Sequence, residues 1–125
     1  MSKEWNELIS FYQELELISS WNIVSMEKLV KLILENRTVN KIHPFTSHHI
    51  LCLTKYKTYE EWKDKPLVSI EPVSESHYCF KFTEPINDGD VYREKSESIS
   101  CPLEYALKAF DEMIEKLEKF ESSQT

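Results

Sequence analysis

Glycine is nearly absent from this chain. Among its 125 residues it occurs once, as Gly89, where average usage of about 7% would give roughly nine. A Walker loop or a dinucleotide fingerprint needs several glycines so that backbone can approach phosphate. A Gly-x-Ser-x-Gly nucleophile elbow needs two. All three are excluded. Metal-ligand spacing is missing as well. The candidate ligands are His43, His48, His49, His77, Cys52, Cys79 and Cys101. None falls at Cys-x-x-Cys or His-x-x-x-His spacing, so no metal or cofactor is expected. No apolar run approaches the ~20 residues of a membrane span. The opening residues, Met1 to Glu7, carry two acids and lead into no apolar h-region, so neither a secretion signal nor a membrane partner is expected. With only three cysteines the sequence reads as a cytoplasmic chain with reduced thiols.

Positive charge is also in short supply. There are 15 Lys and Arg against 22 Asp and Glu, a net charge of −7. The deficit lies in one half: residues 58–125 hold eight basic and sixteen acidic side chains, a net of −8. Residues 36–59 hold no acid at all, but do hold Arg37, Lys41, Lys55, Lys57 and three of the four histidines. An acidic half repels nucleic acid and attracts basic partners; it also favours solubility.

What is present is a clear sequence of periodicities. Trp5, Leu8, Ile9, Tyr12 and Leu15 recur at helical spacing and predict a first helix over Lys3–Ile18, with Ser2 as its cap. A second helix is expected from Met26 to Asn36, capped by Ser25, after a connector at residues 21–24. Residues 37–47 read as a loop. His48–Lys55 reads as a strand with apolar residues on both faces, hence covered on both sides. Thr58-Tyr59-Glu60-Glu61 is a capping box opening a short helical turn through Trp62. Leu67–Val73 is a strand in which Pro72 suggests an edge or a strand end. His77–Glu84 alternates cleanly, with Tyr78, Phe80 and Phe82 on one face. Asp88-Gly89 marks a hairpin, and polar Val91–Ile99 fits a guarded edge strand. From Pro102 to Phe120 apolar residues recur every three or four positions. Cys101 is the expected cap, Pro102 lies in the first turn, and residues 121–125 form a fraying tail. These elements predict a single α+β domain over residues 1–125. It is an antiparallel meander of about four strands, packed with two N-terminal helices and one long C-terminal helix. The apolar seam of the last helix fits a helix laid on a sheet. A coiled-coil stripe between two copies is the alternative, so monomer and homodimer both stay open.

The candidate chemistry is thin. Cys101 at a helix start would have an activated thiol, and with His49 and His77 it could line a small enzyme or ligand pocket. Lys55-Tyr56-Lys57 could touch phosphate and stack on a base. Asp111, Glu112 and Glu115 sit on the polar face of the last helix, where solvation does not separate two carboxylate pKa values as acid–base chemistry requires. They suit docking of a basic partner better. Tyr59, Trp62, Tyr92 and Tyr105 are aromatic anchors of the kind that supply affinity at interfaces. A small, acidic, glycine-poor α+β protein without catalytic motifs resembles in type the bacterial immunity and antitoxin proteins that neutralise basic toxin domains. The resemblance is one of type and carries over no residues. It implies an interaction protein, not an enzyme, whose partner is a basic toxin or effector.

Overall fold

In a computed structural model, residues 3–16, 23–39, 41–56, 59–62, 65–74, 77–88 and 91–124 are described. Helices α1 (Lys3–Glu16) and α2 (Ile23–Asn36) precede strands β1 (His43–Ser47) and β2 (Ile50–Thr54). The short helix α3 (Tyr59–Trp62) leads to β3 (Leu67–Ser74), β4 (His77–Asp88) and β5 (Val91–Pro102). A 3-10 turn, Leu103–Tyr105, then opens α4 (Ala106–Gln124). The strands form one antiparallel sheet in the order β1-β2-β3-β4-β5. The α+β meander read from the sequence is therefore the fold.

The sheet has five strands, not about four. The extra one is β1, whose residues read as loop because His43-Pro44 disfavours helix. Proline is tolerated at the start of an edge strand, where a missing N–H costs no ladder bond. Pro72 teaches the converse. It lies in β3, the middle strand, but β2 pairs with β3 only at Leu51↔Ile70, Cys52↔Ser69 and Leu53↔Val68. At Pro72 only β4 is a partner, through Tyr78, and a bulge follows. The second helix starts at Ile23, so Ser25 is no cap; it is buried inside α2, and its carbonyl accepts a 2.5 Å hydrogen bond from the Tyr78 hydroxyl. Cys101 and Pro102 end β5, paired with Tyr78 and His77, so the last helix begins later than expected. It also continues through residues 121–124, read from sequence as a tail. The β4–β5 ladder closes at Asp88↔Val91, one residue past the expected turn. Ser2, Ile18, Trp21, Asn22, Thr58 and Gly89, to which caps, connectors or turns were assigned, lie outside the described residues.

Strand alternation sorts the side chains. Leu51, Ile70, Phe80 and Ile99 form one inward rung and Leu53, Val68, Phe82 and Glu97 the next. The helices cover this face: Trp5, Leu8 and Tyr12 of α1, Met26, Leu29, Val30 and Ile33 of α2, and Ala106, Phe110, Met113 and Leu117 of α4 are buried with it in one core. The α4 seam is thus spent on the sheet of its own chain. The opposite face is largely polar, with Ser69, Lys81 and Ser98 across one rung, as an antiparallel sheet allows. At β2 it is closed too: Cys52 and Thr54 are buried. Val39 and Ile42, inside the expected loop, join the core. The Trp5 indole N–H ties α1 to this segment by donating to the Ile42 carbonyl at 3.1 Å.

Candidate functional site

Because α4 buries Ala106, Ala109, Phe110, Met113 and Leu117, its other side must present the rest. Lys108, Asp111, Glu112, Glu115, Glu118 and Lys119 are exposed there. Tyr105, closing the 3-10 turn, is 58% exposed, one of three large apolar side chains left in solvent among the described residues. Glu112 follows it by seven residues, about two turns, and so lies on the same side. The solvent side of this segment therefore carries an aromatic ring at its start and carboxylates from two turns on, with Lys108 exposed between them.

Not all of those carboxylates are available. Arg37, just past the end of α2, donates from Nε and Nη2 to the two oxygens of Asp111, both at 2.7 Å. Its Nη1 donates to the Asn36 carbonyl at 2.8 Å. The fork locks the end of α2 to α4, and the hydrogen bond to Asp111 raises the guanidinium pKa further. Glu115 pairs with Lys119 one turn on, at 2.9 Å. At the solvent margin of the helix–sheet contact Lys116 reaches Glu97 of β5; this hydrogen bond lowers the Glu97 pKa and raises that of the ammonium. Glu97 stands on the same sheet face as Phe82, and Lys116, with Lys95 as a smaller contributor, balances its charge on the side the helices cover.

The seven expected binding residues do not form one patch. Tyr105, Asp111, Glu112 and Glu115 share the last helical segment. Tyr59 and Trp62 belong to α3, between the end of β2 and the start of β3, and Tyr92 pairs with Asn87 at the start of β5. Those three lie at the opposite end of the sheet from Tyr105, and their side chains are outside the described residues.

The enzyme constellation separates in a different way. His49, His77 and Cys101 do reach the same end of the sheet, where the β1–β2 and β3–β4 connections and the end of β5 meet. Yet His77 pairs with Pro102 and Tyr78 with Cys101, so His77 and Cys101 point to opposite faces. Cys101 is a buried strand residue, not a helix cap, and burial, then the nearby Cys79, raises its thiol pKa. This is the reverse of activation. His49 gives its backbone carbonyl to the Tyr12 hydroxyl at 3.1 Å. Among the described residues no group of three or more His, Cys, Asp or Glu could hold a metal. A groove of about 220 Å³ between α1 and β1, lined by Glu4, Glu7, Phe11 and Phe45 among others, is below the size of ordinary ligand pockets.

The acid-free window is partly neutralised by contacts sequence could not show. Arg37 is held by Asp111, and His43 Nδ1 lies 3.2 Å from Glu4. Tyr56 donates its backbone N–H to the Thr54 hydroxyl at 3.3 Å, Lys55 has a polar or charged partner, and Lys57 is outside the described residues. No helix among the described residues is long and apolar enough to cross a membrane. No protein-family model, curated protein or solved structure matches the chain.

Proposed function

We propose that this chain is an interaction protein that binds a basic protein partner through the solvent face of its last helical segment, in the manner of an immunity protein or antitoxin. The observation that carries the reading is Tyr105, an aromatic side chain left in solvent, with Glu112 exposed about two turns further along the same side of the segment. An exposed ring on a segment whose solvent side also carries carboxylates has the composition of an interface anchor with a polar rim. The net charge of −7 supports the sign of the partner, since opposite charge raises the association rate. Asp111 serves as a scaffold in this reading, because Arg37 already occupies it. The scattering of His49, His77 and Cys101 over two sheet faces gives no comparable support to an enzymatic reading.

The test is a capture experiment from lysate of the source cells with the tagged parent chain and a Tyr105→Ala/Glu112→Ser/Glu115→Ser variant. The parent is expected to recover a stoichiometric basic protein, and the variant to lose it. The association rate of the recovered pair should fall as salt rises. A recovered partner that binds both forms equally, at a salt-independent rate, sinks the reading.

A further inference from the structure

The two edges of the sheet are built differently. β1 is five residues long, contains Pro44, and carries α1 against it, with His43 beside Glu4. Short length, proline and cover are the ordinary devices that keep an edge from pairing. β5 lacks the first two, and α4 touches it where Lys116 reaches Glu97. It runs twelve residues, pairs with β4 at every position without a bulge, and meets proline only at its final residue, Pro102. Residues 93–98 are all exposed. β3 pairs with β4 only as far as Leu67↔Thr83. Beyond it, the pairs Glu84↔Lys95 to Asp88↔Val91 form a two-stranded arm with no third strand among the described residues. Two strands alone are marginal in water.

We infer that β5 pairs antiparallel with β5 of a second copy of this chain, about a two-fold axis through Ser96. Symmetry restricts the choice. A two-fold relating adjacent antiparallel strands stands perpendicular to the sheet, and opposed side chains share a face. The axis must therefore pass through a residue opposed to itself. Axes through Arg93, Glu94, Lys95 or Glu97 set that charge against its own copy. At Ser96 no like charges are opposed, and Lys95 of each copy faces Glu97 of the other. Glu94 then faces Ser98, and Tyr92 faces Ser100. An axis at Ser98 opposes no like charges either, but it leaves Lys95 facing Cys101 and forms no opposite-charge pair. The charges along β5, which read as protection against indiscriminate pairing, complement themselves in this one register. The same register supplies what the arm lacks: residues 91–95 of each copy gain residues 97–101 of the other as a third strand. Two five-stranded sheets become one of ten.

Sedimentation velocity of the full chain from about 5 to 500 µM tests this, because strand pairing alone buries less than a standard interface and associates weakly. A monomer–dimer equilibrium is expected. Lys95→Glu places two acids opposite two acids, and Glu97→Lys places two bases opposite two bases. Each should weaken the dimer about tenfold, given cross-strand charge pairs of ordinary strength. An equimolar mixture of the two variants should restore it, since Glu at 95 then faces Lys at 97 and Glu97 faces Lys95. A parent that stays monomeric throughout overturns the proposal. So does a dimer that both substitutions leave unchanged. Circular dichroism confirms that each variant is folded. Should Glu97→Lys misfold through loss of Lys116, the parent series and Lys95→Glu still decide.

Discussion

His48 sits at φ 58° in the two-residue connection between β1 and β2. Tight hairpins need this left-handed backbone to match the twist of their strands, and glycine usually supplies it. A chain with one glycine has used histidine, which tolerates the region better than most side chains but still at a cost. His48→Gly should therefore stabilise the fold by about 1 kcal/mol net of the added freedom of the unfolded chain. His48→Val should destabilise it by about as much or more. Urea midpoints at constant slope give both numbers. Cys52 makes a second case. Burial pushes its thiol from 9.0 to about 11, so the unfolded chain ionises first as pH rises. Stability is whole below about pH 9 and drains away between pH 9 and 11, by about 2 kcal/mol at most. Cys101, raised by burial from 9.0, adds to the same limb, and Tyr12 and Tyr78, raised by burial from 10.0, add to it from about pH 10 upward. Cys52→Ala should flatten the pH 9–11 limb of a denaturation series, and an unchanged limb would refute the assignment. Neither feature is visible in sequence: a histidine in a loop and a cysteine in a strand look ordinary until backbone angle and burial are known. The same holds for Asp111, whose engagement depends on Arg37, 74 positions away.

Elements were legible where a single period governs them. The stripe of α4 and the alternation of Tyr78, Phe80 and Phe82 declared their structure because each lies against one apolar surface. β1 did not, since its residues are only half-buried and its identity comes from pairing with β2 and from α1 lying alongside. The start of α2 was hidden because Ser25 resembles a cap, while the tie that fixes it comes from Tyr78 in a distant strand. The length of the β4–β5 hairpin was also missed, because the polar residues beyond Glu84 and Ile99 have no apolar period. That arm gives a prediction at this scale. Replacing residues 85–94 by Asn-Gly removes only pairs that touch no third strand among the described residues, so the fold should survive with stability changed by roughly 1 kcal/mol or less, measured by thermal melting at low concentration. A collapse of the fold would show that the arm braces the sheet.

At the scale of the molecule, the meander was readable because the strands follow one another through short connections, and neighbours in sequence become neighbours in the sheet. The residues proposed to face a partner were readable only as types. Aromatic and acidic side chains could be named, but their division between two ends of the sheet required the topology. The order of the elements also sets when each part of the core can form. A ribosome delivers both N-terminal helices and all five strands before α4. Until α4 arrives, the side of the sheet bearing Tyr78, Phe80 and Phe82 has only part of its cover. The nascent chain then shows the kind of apolar surface that chaperones hold and proteases find. A chain broken between Pro102 and Phe110 would be marked for removal by its own unfinished core, so the helix that closes the sheet also decides whether the earlier elements survive.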